Sequence, residues 1–451
     1  MSVHTIVLAA GEGSRMKSKK AKSLQRIGGT SMLHKICTTA GKISPKITLV
    51  VGFDQDSVIK EANEYNLEIS IAQQPKAIGT GDAVKCGLTQ VEKESKVLVL
   101  YGDVPLIQED TLRNLIETSD DSLAILTTVL DNPHGYGRVT KDNDGNALSI
   151  VEEKDATDKE REINEIFTGV LCGPKSLLDE GLSTIDNDNA AREYYLTDLI
   201  SIINKKGYKI KTHEASNYEV KGANNKIELA ELEALYRDMK VQDLMNNGVT
   251  VADPLRLDVR GDVQAGNDCS IDVNVILEGD IILGDNVSIG ANTILKNTTI
   301  GSDTKIEPFS HIDQAMIGSN CVIGPYARLR EGSQIENSAK VGNFVETKNS
   351  TLGKGSKANH FTYLGDTEVG QSTNIGAGTI TCNYDGTNKH KTFIGDNSFI
   401  GSNTALVAPV TVGSNATVAA GSVITKNIPD NGLGVARGKQ NNKENWSKKK
   451  D

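Results

Sequence analysis

The chain has 451 residues and a net charge of −10. That length supports two or three domains, each with its own core, and the acidic balance excludes a global basic field able to hold nucleic acid. Aromatic residues make up only 4% against 43 glycines, a pairing that points to repetitive β structure with tight corners.

In chain order, the first half alternates apolar runs with helical stretches. Thr5 to Ala10, Ile47 to Val51, Val97 to Tyr101 and Leu123 to Leu130 read as buried strands, and Met32 to Lys42 and Thr80 to Glu92 as helices between them. The alternation predicts an α/β, Rossmann-like domain with a mostly parallel sheet, whose ligands sit at the carboxyl ends of the strands. Ile227, Leu229, Leu232, Leu235, Tyr236, Met239 and Leu244 then mark one long helix, stopped at Asn246-Asn247-Gly248. After it, apolar residues recur six apart: Leu283, Ile289, Leu295; then Ile300, Ile306, Ile312; Ile317, Ile323, Leu329, Ile335, Val341; and Ile394 through Ile424. This period predicts a β-helix of hexapeptide repeats with Gly or Asn at corners that need positive φ. The repeat fails at Thr381 to Phe393, where the polar run Cys382 to Lys389 must project from rigidly stacked coils.

The expected division is 1–223, a linker helix 224–248, the β-helix 249–440 and a basic tail 441–451. Lys448 to Lys450 read as a solvated end, with a weak anion contact as the alternative. Cys37, Cys86, Cys172, Cys269, Cys321 and Cys382 are scattered without a C-x-x-C pair. They read as ordinary thiols in a reducing compartment and not as a disulfide framework or zinc site. The apolar start reads as a strand and not a signal peptide, and no run reaches membrane-spanning length. A cytoplasmic protein with no membrane insertion is expected.

Leu8-Ala9-Ala10-Gly11-Glu12-Gly13-Ser14-Arg15-Met16 follows a strand, and Lys22 lies beyond it. Backbone N–H groups of such a loop can approach a phosphate closely, and Arg15 and Lys22 can neutralise it. A bare glycine turn is the alternative. Gly79-Thr80-Gly81, near Gln74, reads as a helix start capped by Thr80. Asp103, after Tyr101-Gly102 at a strand end, reads as a cap or turn residue unless it binds a metal. On the repeat, Arg330, Lys348, His360, Tyr363, Asn374 and Lys389 each read alone as solvated outer-face residues.

L-A-A-G-x-G-[ST]-R-M with a following Lys resembles the sugar-nucleotidyltransferase signature. Joined to the repeat, and to Ala358 through Asp366 and Asn374 through Gly386, it resembles bifunctional N-acetylglucosamine-1-phosphate uridyltransferase/glucosamine-1-phosphate acetyltransferase. The similarity runs from about Thr5 to Arg437. It implies a left-handed β-helix, a homotrimer and a two-step synthesis of UDP-N-acetylglucosamine for peptidoglycan and lipid A precursors, from glucosamine-1-phosphate, acetyl-CoA and UTP. It further implies that Leu8, Ala9, Ala10, Gly11, Arg15, Lys22, Gln74, Gly79, Thr80, Tyr101, Gly102 and Asp103 hold the nucleotide, with Gln74 and Gly79 to Gly81 at the uracil. Gly137, Glu152 and Thr197 would hold the sugar, and Asp103 and Asn224 a Mg²⁺ ion. His360 would be the general base. Arg330 and Lys348 would bind the acceptor's phosphate and Tyr363, Asn374 and Lys389 its sugar. Ala377, Asn383, Tyr384, Ser402, Ala420 and Arg437 would meet acetyl-CoA. Cys382 as a covalent nucleophile is unnecessary if transfer to the amine is direct.

Two departures stand out. Glu165-Ile166-Phe167-Thr168-Gly169 carries Phe167 where the family has an Asn toward the sugar, and the ring points either into the pocket or into the core. Lys20-Ala21 replaces Leu-Pro before Lys22, which leaves the loop less rigid on sequence grounds. Two other readings compete: a single-activity sugar-1-phosphate nucleotidyltransferase whose repeat only oligomerises, and a non-catalytic regulatory scaffold. His360 with Asn383-Tyr384 opposes the first. Asp103, Lys22 and Asn224 oppose the second.

Overall fold

The computed structural model describes residues 2–189, 192–444 and 446, so the Lys448 to Lys450 run lies outside the described residues. The chain divides into two compact units, Met1–Tyr236 and Arg237–Asp451. Among the described residues no helix is long and apolar enough to cross a membrane.

The first unit is built on strands β1 Val3–Ala9, β2 Lys46–Val51, β3 Ile69–Gln73, β4 Lys96–Tyr101, β5 Ala124–Val129, β6 Arg138–Lys141, β7 Ala147–Val151, β8 Glu165–Pro174 and β9 Lys211–Glu214. Their main order is β9-β5-β8-β4-β1-β2-β3. β1 pairs in parallel with β2 and β4, while β8 runs antiparallel between β4 and β5. Apolar runs form the centre because both faces are covered: Ile6, Val50 and Val99 pack in one layer, and Val7, Leu49 and Leu100 in the other. The order reverses about β1 and β4, whose carboxyl ends carry Ala10 to Arg15 and Gly102-Asp103, the crevice where such sheets bind ligands.

Phe167 turns inward. It is 7% exposed and packs in the layer that holds Val139, Ile150, Leu196 and Leu199. The pairing of β8 with β5 shifts register between Phe167 and Leu171, so simple alternation does not run through this stretch.

The long helix is Lys226–Asn246, and the division between units falls within it. Its first part belongs to the first unit, where the Tyr236 ring covers Gly28. A Cβ on Gly28 would lie 2.0 Å from that ring, and its φ of +53° suits only glycine comfortably. Its later part gives Val241 and Leu244 to the core of the second unit.

The second unit is a parallel β-helix. Lys305 pairs with Val322, Val322 with Lys340 and Lys340 with Lys357, so each coil takes 17 or 18 residues. Inward residues stack in ladders. One reads Ile289, Ile306, Ile323, Val341, Ala358, Ile375, Ile400, Val418, all buried. The repeats persist because each coil can bury its apolar face only against the next. Across the interruption the step rises to 25 residues, Asn374 to Phe399, and the coil nevertheless returns to register.

The corners are only partly as expected. Asn292, Asn320, Asn403 and Asn415 take positive φ there, but so do Phe309, Tyr326, Phe344 and Phe361, at +59°, +57°, +55° and +48°. Bulky residues rarely adopt this region, at about 1–2 kcal/mol each. These four lie on successive coils with ring centroids 4.9, 5.3 and 5.2 Å apart, and such contacts return about 0.5–1.5 kcal/mol per pair. Three such pairs offset only part of the strain of four residues, and an exposed aromatic ladder results.

Two outcomes follow. Asn320, at φ +58°, is expected to tolerate Gly within about 0.5 kcal/mol, whereas Asn320→Val should cost about 1–2 kcal/mol, read by thermal melting. Phe167→Asn buries an amide in an apolar layer and empties ring volume. It should destabilise the first unit by about 3 kcal/mol or more, visible in its unfolding transition before any change in sugar KM is interpreted.

Candidate active sites

Residues from the first unit enclose a cavity of about 330 Å³ lined by Leu8 to Gly11, Arg15, Lys22, Gln74, Gly79, Thr80, Tyr101 to Asp103 and Asn224. These residues, expected from the family resemblance, come from segments more than two hundred residues apart and line one cavity. The wall also holds Ser23, Ala77, Ala83 and Glu193, which sequence reasoning missed. Gly13 makes the loop possible: its φ is +63°, and a Cβ there would meet Lys22 Cβ at 2.7 Å. Lys22 therefore lies directly against the glycine turn.

The Lys22 ammonium pairs with Asp103 and donates to Asn224 Oδ1 at 2.7 Å, and Arg15 donates to the same oxygen at 3.0 Å. Asn224 is held from behind. Its backbone N–H and its amide both donate to Glu228 Oε2, at 2.8 and 3.0 Å, so Oδ1 must face the cavity. Asn225 caps the helix that carries Glu228, accepting from the N–H groups of Ile227 and Glu228. Glu228 was absent from the sequence-based site, although a carboxylate four residues on, in the first helical turn, was a usable signal.

The expected cap by Thr80 is corrected. Gly79 is the N-cap of helix Thr80–Leu88 with no side-chain bond. The Thr80 hydroxyl instead accepts from Leu196 N–H at 3.2 Å. The segment around Tyr194 straps this turn: Tyr194 N–H donates to Ile78 O and Gly81 N–H to Tyr194 O, both 2.8 Å. Any Cβ on Gly79 would meet Tyr194 O at 2.4 Å. The strap carries Glu193 into the wall. Gln74 is buried, and its amide donates to Gly79 O and Asp82 Oδ2 at 3.0 and 2.9 Å.

The loop before Lys22 is anchored after all. Ala21 is fully buried, and its N–H, which a proline would lack, donates to Asp54 Oδ2 at 3.0 Å. Beside the cavity, Thr197 donates to Glu152 Oε1 at 3.0 Å. Gly137 faces the same carboxylate, and a Cβ there would strike Ile150 at 2.7 Å. Tyr101 links the two regions: burial pushes its hydroxyl well above the usual phenol value, against a hydrogen bond with Thr80, and the charges of Asp103 and Glu152 push it further.

In the second unit, register aligns the predicted residues. Asn343 pairs with His360, and each is two residues past its inward-facing ladder residue. Ala377, Ser402 and Ala420 hold the same position on the next coils, two past Ile375, Ile400 and Val418. His360, which is exposed, thus heads a row of three small residues that ends where Arg437 donates to Ala420 O at 2.7 Å. Asn374 lies three residues before Ala377 on the strand entering that corner.

Around the corner a cationic cluster forms. Lys348 stands in register with Gly365, over which the Tyr363 hydroxyl and the Asn383 amide crowd. Arg330 is oriented by Glu346 at 2.7 Å. The neighbouring Lys389, and then Arg330, hold the Lys348 ammonium below its ordinary pKa. Three cations facing one another in this way favour an anion among them. Asn383 anchors the projecting loop by donating to Asp366 Oδ2 at 2.6 Å, and it is buried. Asp385 ties the loop's turn together, accepting from Thr387 N–H, Asn388 N–H and His390. Tyr384 is exposed, and its hydroxyl donates to Gly386 O. Glu346 and Asp366 were missed because their roles depend on neighbours one coil away.

Comparison with known proteins follows the same division. A model of the MobA-like NTP transferase domain matches residues 5–180, one of the GMPPB C-terminal domain matches 259–335, and one of the hexapeptide repeat of succinyl-transferase matches 391–426. The chain is 48% identical over 451 residues to the bifunctional protein GlmU of Acinetobacter baumannii, covering 99% of each. It is 48% identical over 452 residues to that of Alcanivorax borkumensis, covering 100% of each. It is 46% identical over 450 residues to that of Francisella philomiragia, covering 99% of each. Likeness of this extent, over both units at once, makes the chain a member of the bifunctional GlmU family.

Proposed function

We propose that this member acetylates glucosamine-1-phosphate with acetyl-CoA on its second unit, and that its first unit transfers UMP from UTP to the resulting N-acetylglucosamine-1-phosphate, releasing pyrophosphate. The functional division runs 1–223, 224–248 and 249–440, and both steps belong in the cytoplasm. The observation that carries the reading is a gathering of phosphate-type cations in each unit: Lys22 and Arg15 with Asp103 and Asn224 in the first, and Lys348, Lys389 and Arg330 on the coils that also carry Tyr363 in the second.

In the acetyl step Arg330, Lys348 and Lys389 hold the phosphate, with Tyr363 and Asn374 at the sugar. The exposed imidazole of His360 takes a proton from the substrate's ammonium. The freed amine attacks the thioester carbonyl, the C–S bond breaks, and coenzyme A leaves as the thiol or thiolate. The coenzyme lies along Ala377, Ser402 and Ala420, where small side chains leave room, between Arg437 and the Asn383-Tyr384 loop. Cys382 is not needed, because the amine is itself the nucleophile.

In the uridylyl step an oxygen of the sugar phosphate attacks the α-phosphorus of UTP in line, and pyrophosphate leaves. No side-chain base is required, because the attacking oxygen is already anionic. Gly137, Glu152 and Thr197 hold the sugar, and Gln74, Gly79 and Thr80 the base. With Phe167 turned into the core, Glu152 and Thr197 carry the sugar's polar contacts. The residues fit a Mg²⁺ ion, since one cation, the Lys22 ammonium, already touches oxygens of both Asp103 and Asn224. An all-oxygen pair suits that hard ion, and when bound it supplies charge neutralisation at the phosphates.

The protein is proposed as a homotrimer. Support comes from the exposed ladder of Phe309, Tyr326, Phe344 and Phe361, whose last member adjoins His360. One chain leaves that apolar edge beside the acyl site open to water, and large exposed apolar patches mark interfaces.

His360→Ala is expected to lower acetyl transfer at least a hundredfold and to leave uridylyl transfer within twofold. Asp103→Ala should do the reverse, measured with glucosamine-1-phosphate, acetyl-CoA, UTP and Mg²⁺ in separate assays. Equal losses in both assays would overturn the assignment. Sedimentation of the full chain should give three times the monomer mass, and Phe344→Glu with Phe361→Glu should lower it together with acetyl transfer. A wild-type monomer active in acetylation would refute the trimer.

A further inference from the structure

Ser23 belongs to the short helical turn Lys22–Leu24. It is 4% exposed, and its hydroxyl is one of the few buried side-chain groups with no hydrogen-bond partner among the described residues. It also lines the nucleotide cavity. A buried, unsatisfied hydroxyl is a standing cost to the fold, and most buried polar groups avoid it. Serine's small side chain could be replaced by alanine there without loss of packing, so the hydroxyl's stability cost needs a compensating partner.

Its neighbours indicate the partner's chemistry. Ser23 follows Lys22, whose ammonium reaches Asp103. Its Cβ faces Gly102, where an added Cβ would stand 3.4 Å away. The base end of the cavity, at Gln74, has its amide N–H groups committed to Gly79 O and Asp82. Arg15, Lys22 and Ser23 line the same cavity. A hydroxyl there has a proton to give and no acceptor in the protein to give it to.

We propose that Ser23 is a further binding residue of the nucleotidyl site, donating its hydroxyl proton to a phosphate oxygen of the bound nucleoside triphosphate. This rests on the reading of the cavity as the UTP site. The bond forms only in the complex, so the free protein carries the cost of an unmet donor and the bound one regains it. Ser23 positions the triphosphate; it moves no proton in the reaction.

The test uses full-length Ser23→Ala and the wild type. UTP binding with Mg²⁺ is measured by calorimetry, KM and kcat for UTP by initial rates, and unfolding of the first unit without ligand by thermal melting. The expected result is UTP affinity weakened about tenfold, as for loss of one hydrogen bond to a charged group. KM for UTP should rise in step while the ligand-free melting temperature stays the same or rises. Unchanged UTP affinity would overturn the proposal. So would a fall in the ligand-free melting temperature, because the hydroxyl would then have a partner within the fold. Failure of the wild type to bind UTP would overturn the nucleotide assignment itself, and this inference with it.

Discussion

Every coil of the β-helix must bring the chain back beside itself, one strand spacing of about 4.8 Å along the axis. That return condition governs the second unit. It fixes 17 or 18 residues per coil, because Lys305, Val322, Lys340 and Lys357 must lie in register. It forces the extra residues between Asn374 and Phe399 outward as a loop. It also aligns the candidate site: residues far apart in sequence share a position around the coil, so His360, Ala377, Ser402 and Ala420 form a line. Arg330, Lys348 and Gly365 do the same on another edge. The scaffold turns a periodic sequence into a column of equivalent positions, and the candidate site residues stand where the side chains break the monotony.

The first unit solves a different problem. Its sheet offers a crevice, but the groups that fill it come from loops, and each loop is fastened by a polar bond. Asp54 holds Ala21, Glu228 holds Asn224, and the Tyr194 segment holds Ile78 and Gly81. The Lys22 ammonium closes the set by touching both Asp103 and Asn224. Such bonds stabilise little individually, about 1 kcal/mol each. Their effect is to remove freedom from loops whose side chains must meet at one point.

Much of this was legible from sequence. Buried parallel strands read as unbroken apolar runs, so the strands at Thr5, Ile47 and Val97 and the hexapeptide period were plain. Two of the failures share a cause, namely partners remote in sequence. Thr80 looked like a cap because its actual donor, Leu196, lies 116 residues away. The Lys20-Ala21 departure looked loosening because Asp54 was out of sight. Phe167 stayed ambiguous because the pairing shifts just after it, and inward and outward positions cannot be counted across a bulge. Ser23 carried no signal at all, since a serine beside a lysine is ordinary until its burial is known. The aromatic corner contradicts local preference, and stacking between coils, which no local pattern shows, offsets part of its strain.

The column of coils has one more consequence, for how the molecule tolerates change. Each rung touches only the rung above and the rung below, so an altered residue is felt by two neighbours and no further. A globular core would spread the same disturbance through its interior. Sequence drift along the β-helix can therefore be settled rung by rung. Residues that serve the chemistry are free to be kept while the surface between them is rewritten, as long as each rung still closes.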